Sequence, residues 1–476
     1  MPIEPASSVI TKPENMRSPD LDLLFEPRSL AVIGASERLT GGGGLLLKSI
    51  MANNFRGKVY PINPSAPEIA GLKAYPRLAD VPGEIDLAVI AIPAKAVPGS
   101  IRECRDKGVK FAVVHSSGFG ESGADGRRME LEMAEIAAHG GPRIVGGNCM
   151  GIYCPASALN TIVTYLAFGH DPGPIGFVGQ SGWGTEQYTV FGLEKGLRFS
   201  RVVSIGNQCD LSIEDLIEYF AVDPQTKVIS GYVEGLKRPR EFLELAGRIT
   251  RKKPVVLWKG GRNEKSARAS SSHTGSLATN QTVFEAALKQ TGVVTANGLG
   301  NMLIVSLALS CPVLPKGNRV GLVVNSGGAG IALTDTMEST DLKLAVFPDQ
   351  VRRELREYLG TLTPIPPAVD NPVDVGWITT WGSSVPYFKC LEIVLNHCDM
   401  AVLMCFLPLD QAVMEGLKEI RDRFGKPIVV IPGHPLTQND GMNLLSRNGI
   451  PSYSFPEEAV QGLAALWQYS KWKNNL

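Results

Sequence analysis

Short runs of branched apolar residues alternate with stretches of helical period along most of the chain. "SLAVIGAS" (29–36), "KVYPIN" (58–63), "IDLAVIAIP" (85–93), "VKFAVVHSSG" (109–118) and "RIVGG" (143–147) are rich in Val and Ile and end in Gly, Ser, Pro or Asn. Runs of this length and composition predict strands. Between them, Leu45–Asn53 and Gly126–His139 carry apolar residues at helical spacing. Strand–helix alternation predicts a parallel sheet with both faces covered. A Pro/Gly-rich break, "GHDPGPIG" (169–176), closes this unit. A second runs through "IGFVGQSGWG" (175–184), "FSRVVSIGN" (199–207), "TKVISGYVEG" (226–235), "KPVVLWKGG" (253–261) and the helix-like Gln281–Thr291. After the break "CPVLPKGNR" (311–319), a third has strands at "VGLVVNSGG" (320–328), "DMAVLMCFLP" (399–408) and "PIVVIPG" (427–433). The expectation is three consecutive parallel-sheet α/β domains at 22–168, 174–311 and 317–472, preceded by a loosely docked or disordered arm at 1–21. Ligand sites are expected at the carboxyl ends of the strands.

Composition narrows the class. A chain of 476 residues fits about three domains of roughly 100–200 residues. Its 47 basic residues balance 47 acidic ones, so neither a nucleic acid nor an anionic membrane is expected as a partner. The N-terminal stretch has no apolar core and does not read as a signal peptide. The longest apolar run, Leu303–Leu314, falls short of the ~20 residues needed to span a bilayer. The eight cysteines form no CxxC pair, which predicts a reduced, cytoplasmic protein. His115, His139, His170, His397 and His434 show no HxH or HxxxH spacing, so no metal site is expected.

Four loops could carry chemistry. In "VIGASERLTGGGG" a strand end, Gly34, leads through a glycine-rich turn into a helix. Such a turn admits a phosphate-bearing ligand at the helix N-terminus, although the spacing is not GxGxxG and a plain tight turn is the alternative. After the next strand, "YPINPSAPE" puts Asn63 where a nicotinamide dinucleotide site has an acid. That favours a nucleotide with a phosphorylated ribose, such as coenzyme A; the alternative is an Asx turn before Pro64. "VGQSGWGTE" (178–186) and "VVNSGGAGI" (323–331) each point a helix N-terminus toward a possible anion, and each is otherwise an ordinary turn. The fourth loop, "SSSHTGSLA" (270–278), sets His273 among small polar residues, as a surface turn or as a reachable nucleophile. Glu234, in "SGYVEGLKRP", is placed to orient such a histidine from a strand end.

Taken in order, these motifs resemble the ADP-forming acyl-CoA synthetases and their succinyl-CoA ligase relatives. The resemblance spans nearly the whole chain after residue 22. It rests on "SLAVIGAS", "GKVYPINP", "IDLAVIAIPA", "SSGFGESG", "GGNCMGIYCP", "GQSG", "SIGNQCDLSIEDLIEYFAVDPQTKVISGYVEG", "SHTGSLA", "NSGGAG" and "NPVDVG". It implies an N-terminal Rossmann-like coenzyme A-binding domain followed by two flavodoxin-like, succinyl-CoA ligase-like domains. It also implies that His273 carries a phosphoryl group and that Glu234 holds the phosphohistidine. Ser181 and Gly182 would form one phosphate loop, Gly327 and Gly328 a second. Gly34, Ala35, Ser36 and Asn63 would contact the coenzyme A nucleotide. Pro93, Ser117, Gly118 and Phe119 would line the pantetheine arm, and Asn148 would lie near the thioester. ADP or ATP, with Mg²⁺, would sit on a separate ATP-grasp β subunit, giving a hetero-oligomer that acts on a small carboxylic acid or its acyl-CoA. The chain departs from the family pattern at Ser65, Gly147, Gly179 and Trp183. Two other readings are a non-catalytic coenzyme A-binding scaffold and an NAD(P)-dependent oxidoreductase. Coenzyme A against NADH titration and phosphoryl labelling separate them.

Overall fold

The computed structural model describes residues 21–38, 41–162, 168–263, 281–362, 367–376, 383–434 and 438–475. The N-terminal arm up to residue 20 and the histidine loop, 264–280 with His273, lie outside the described residues. The first sheet contains β1 (Ser29–Ile33), β2 (Lys58–Ile62), β3 (Leu87–Ile90), β4 (Phe111–Val114) and β5 (Arg143–Gly146), parallel, in the order β2-β1-β3-β4-β5. Alternate residues serve opposite faces. Leu30, Val32, Leu87 and Val89 pack with Leu46, Leu47 and Ile50 of helix α1 (Gly42–Ala52). Ala31, Ile33, Ala88 and Ile90 pack with Ile101 and Met133 on the other side. This two-faced burial is why the strands read as unbroken apolar runs.

The second sheet has seven strands: β6 (Gly151–Cys154), β7 (Leu159–Asn160), β8 (Ile175–Gly179), β9 (Phe199–Ser204), β10 (Val228–Val233), β11 (Val255–Lys259) and β12 (Val294–Ala296). Their order is β12-β11-β10-β8-β9-β6-β7. The predicted parallel alternation misses β6 and β7. β6 runs antiparallel to β9, and β7 antiparallel to β6. The cause is the short link from β5. Only residues 147–150 intervene, whereas a parallel return needs a crossover of about a dozen residues. The chain therefore leaves the first sheet and closes the edge of the second. Helix α2 (Gly182–Glu194) follows β8, and α3 (Leu299–Leu309) follows β12.

The third sheet is formed by β13 (Arg319–Val324), β14 (Lys343–Leu344), β15 (Val373–Asp374), β16 (Met400–Cys405) and β17 (Ile428–Pro432). It is parallel, in the order β14-β13-β16-β17, with β15 on the carboxyl end of β13. Helix α4 (Gly327–Met337) follows β13, and α5 (Pro456–Lys473) ends the fold. Helix α5 packs on both α3 and α4, so one core of buried residues joins the second and third sheets. Tyr453 Oη donates to the Ile304 carbonyl and Tyr469 Oη to the Thr250 carbonyl, each at 2.8 Å.

Backbone bonds stitch the first unit to the second. The amides of Asn207, Cys209 and Leu211 donate to the carbonyls of Gly147, Gly146 and Ile144 at 2.9, 2.8 and 3.0 Å. The loop after β1 is similarly close-set. Gly34 has φ of +89°, and a Cβ there would lie 2.5 Å from the Ala91 carbonyl oxygen. Gly34→Ala is expected to cost about 1–3 kcal/mol, through backbone strain and the clash with the residue that follows β3. A shift of the urea midpoint at constant m-value tests this.

Candidate functional site

The carboxyl ends of β3, β4 and β5, together with the turn after β8, surround a cavity of about 680 Å³. From the first unit come Pro93, His115, Ser117, Asn148 and Met150. From the second come Gln180, Ser181, Gly182, Trp183 and Asn207. None of the described lining residues carries a formal charge, apart from a histidine that burial keeps neutral. The cavity therefore offers backbone dipoles and neutral polar groups to a ligand.

The turn after β8 is set by strand register. Gly179 lies opposite Tyr232 of β10, and the Gln180 amide donates to the Tyr232 carbonyl at 3.1 Å. Ser181 is the N-cap of α2, accepting at Oγ from the Gly184 amide at 3.1 Å. The first turn of α2 thus opens at the cavity, where unpaired amides and the helix dipole favour an anion. The Gln180 side chain spans to the end of β10. Its Oε1 accepts from the amides of Glu234 and Gly235, and its Nε2 donates to the Gly235 carbonyl at 2.9 Å. Glu234 is held beside the turn that opens α2 by this bridge. Tyr232 Oη donates to Glu234 Oε1 at 3.1 Å, and buried Lys259 donates through Nζ to the Glu234 and Gly260 carbonyls at 2.8 and 2.6 Å. Burial lowers the Lys259 pKa, and the Glu234 charge opposes that shift.

On the coenzyme A side, Asn63 Nδ2 donates to the Ala35 carbonyl at 2.8 Å. Its Oδ1 accepts from the amides of Ser65 and Ala66 at 2.8 and 3.0 Å. The Asx turn and the link to the β1 loop are therefore one feature, with the Asn63 side chain spent within the protein. Ser36 Oγ accepts from the Arg38 amide at 3.1 Å. The amides of Gly118 and Phe119 donate to Glu121 Oε1 at 2.6 and 3.1 Å. Asn207 Nδ2 donates to Glu121 Oε2 at 2.5 Å and to Glu130 Oε1 at 2.6 Å. Burial pushes the Glu121 pKa up, but bonds from the Gly118 amide and Asn207 outweigh it and hold it below its usual value. The Phe119 ring fills the space beside Gly147, where a Cβ would come within 2.5 Å of it.

The cavity brings together Pro93, Ser117, Asn148, Ser181 and Gly182 from the sequence-predicted set. Glu234 joins it through Gln180. Gly34, Ala35, Ser36, Asn63, Gly118 and Phe119 do not line it. Gly327 and Gly328 open α4 on the third sheet, beside Asp374; a Cβ on Gly327 would lie 3.5 Å from that carboxylate. They do not line this cavity.

Residues 28–155 match the family described as a CoA binding domain, and residues 172–309 the succinyl-CoA ligase like flavodoxin domain. The α subunit of acetate–CoA ligase [ADP-forming] II from Pyrococcus furiosus is 37% identical over 462 residues, covering 95% of this chain and 98% of that protein. The chain belongs to the ADP-forming acyl-CoA ligases. A 4-hydroxybutyrate–CoA ligase [ADP-forming] from Nitrosopumilus maritimus is 31% identical over 94% of this chain and 64% of its own length. The solved dinucleotide-forming acetyl-coenzyme A synthetase 1 of Ca. Korarchaeum cryptofilum, in complex with phosphate and ADP, superposes with a TM-score of 0.82 at 32% identity, covering 96% of this chain and 98% of that one. As a family member, the chain thus matches an α subunit nearly end to end.

Sequence reasoning missed Gln180, His115, Asn207 and Glu121. "GQSG" did contain Gln180, but only the strand register shows which backbone it serves. Gln180→Leu leaves two part-buried amides without their acceptor. It is expected to cost about 1–3 kcal/mol and to speed amide exchange at Glu234 and Gly235, read by exchange mass spectrometry. Burial also lowers the His115 pKa to about 3. Because the unfolded state takes up that proton at ~6.5, stability should fall as pH drops from 6.5 toward 3. Denaturant titrations across that range should show a shallower acid slope in His115→Phe.

Proposed function

We propose that the chain is the α subunit of an ADP-forming acyl-CoA synthetase, catalysing acyl-CoA + phosphate + ADP ⇌ carboxylic acid + CoA + ATP. One observation carries the reading: a single cavity joins the expected coenzyme A wall (Pro93, Ser117, Asn148) to the α2 phosphate loop (Ser181, Gly182), with Glu234 tied beside that loop by Gln180. Thioester and phosphate can therefore meet in one uncharged space.

The first step forms a bond from a phosphate oxygen to the acyl carbon. The C–S bond breaks, its electron pair leaves with sulfur, and CoA takes a proton. The α2 N-terminus holds the phosphate oxygens during attack. His273 then attacks phosphorus, and the carboxylate leaves with the bridging oxygen. Glu234 orients the imidazole and balances its charge once phosphorylated. The helix start at Gly327 and Gly328 supplies a second cradle for the phosphoryl group. We assign transfer to ADP to a separate ATP-grasp β subunit, which would hold the nucleotide and Mg²⁺. The end-to-end match to an α subunit supports that division. The small residues around His273 suit a loop that must leave one cradle and enter another. We place the assembly in the cytoplasm, in keeping with eight free cysteines.

His273→Ala is expected to abolish turnover and phosphoryl labelling by acetyl phosphate while coenzyme A still binds. Label retained in that variant, located by mass spectrometry, would remove His273 from the pathway. Glu234→Gln should slow labelling at least tenfold without moving the urea midpoint. An unchanged single-turnover rate would remove Glu234.

A further inference from the structure

Just past the end of β9, Asn207 reaches back across the junction of the first two units. Its backbone amide donates to the Gly147 carbonyl at 2.9 Å. The preceding residue is pressed on the same segment: a Cβ on Gly206 would lie 2.6 Å from the Asn148 carbonyl oxygen. Asn207 thus stands beside the residue expected near the thioester, and both line the cavity. Its side chain is gripped at one end. Nδ2 donates to Glu121 Oε2 at 2.5 Å and to Glu130 Oε1 at 2.6 Å. Two carboxylates at one end of a carboxamide identify that end as the nitrogen. Neither acid lines the cavity. Glu121 is held by the amides of Gly118 and Phe119. Glu130, on the helix Ala124–Ala138, packs against Gly120, where a Cβ would lie 2.5 Å from its Oε2. Both N–H bonds of the Asn207 amide are therefore spent on the first unit. Asn207 is half-buried, and its Oδ1 accepts from no described residue and is not sealed from water.

We infer that Asn207 binds coenzyme A: its Oδ1, turned away from the two acids, accepts the N–H of the pantetheine amide nearest the sulfur. The inference rests on the coenzyme A reading of the cavity. An accessible acceptor has nothing to offer phosphate oxygens, a thioester carbonyl or a carboxylate, since all of these are acceptors too. Coenzyme A donates from its adenine amino group, its ribose and pantoate hydroxyls and the amides of its pantetheine arm. The adenine and ribose belong to the nucleotide end, expected at Gly34–Ser36. Asn207 is instead beside Asn148 and across from the α2 turn, where thioester and phosphate would meet. The amide a two-carbon link from sulfur is the donor that comes to this place. A carboxamide suits it better than a carboxylate, whose charge would oppose the phosphate at the α2 terminus. The grip on Nδ2 fixes the acceptor before the ligand arrives. The bond then sets how far the arm threads into the cavity, and so where the acyl carbon lies relative to the phosphate.

The test is calorimetry on the full chain assembled with its ATP-grasp partner. The ligands are coenzyme A and two synthetic analogues in which an ester oxygen replaces a pantetheine N–H, either at the amide nearest sulfur or at the distal amide. Wild type should bind coenzyme A about tenfold more tightly than the near ester, the effect of one hydrogen bond. Asn207→Leu should bind coenzyme A about tenfold more weakly and should no longer distinguish it from the near ester, the signature of a direct pairing. The ratio for the distal ester should be the same in both proteins. Equal binding of coenzyme A and the near ester by wild type overturns the assignment, whether or not the variant folds. So does weak binding by Asn207→Leu with the preference intact, which marks a residue that only braces Glu121 and Glu130. A preference that disappears at the distal ester instead also overturns it. If wild type binds no coenzyme A at all, the coenzyme A reading of the cavity falls first.

Discussion

Gly179 of β8 sits opposite Tyr232 of β10, and the chemistry of the cavity depends on that register. Parallel strands end on the same side of a sheet. The turn that starts α2 and the turn that carries Glu234 therefore emerge as neighbours. Gln180 converts proximity into a fixed distance by binding the backbone at 234 and 235. A side-chain amide suits this role because it donates and accepts at once. A one-residue slip would turn each side chain to the opposite face, leaving the Gln180 amide and the Glu234 backbone on opposite sides.

Much of this was legible in the sequence, for reasons that can be named. Strands buried on both faces leave unbroken Val/Ile runs, and "SLAVI", "LAVI" and "FAVV" are all present in the first sheet. The helix starts after β8 and β13 were legible because Ser-Gly turns mark them. "GIYC" was not, since four residues cannot establish a period, and only the shortness of the link from β5 dictates where they go. His115 was passed over because its environment is made by distant segments: strand β3 through Ile90, and the turn after β5 through Asn148. Asn63 forms the Asx turn and also ties it to the loop after β1 through the Ala35 carbonyl.

The described lining of the cavity is uncharged, its polar groups drawn from backbone and neutral side chains. The described lining provides helix-terminal amides rather than arginine or lysine. A terminus contributes about 0.3–1 kcal/mol when exposed and up to ~2 kcal/mol when partly buried. That is enough to orient an anion without trapping it. Full charges are kept one layer back: Lys259 is turned to backbone carbonyls, and Glu121 is turned to amides and Asn207. Trp183, 61% exposed on the first turn of α2, leaves an aromatic face at the cavity mouth.

The antiparallel strand β6 also bears on how the protein can be divided. It comes from the segment immediately after the first sheet, yet it covers the open side of β9, with Val202 and Val203 registered on Tyr153 and Ile152. A fragment cut at the proline-rich break near 169 would lose that cover. It would present a row of unsatisfied backbone groups flanked by apolar side chains, a template for edge-to-edge aggregation. The coenzyme-binding unit and its neighbour are separable as folds on paper but share a selvedge in the molecule, and a fragment meant to stay monomeric has to carry residues 151–160 with the second sheet.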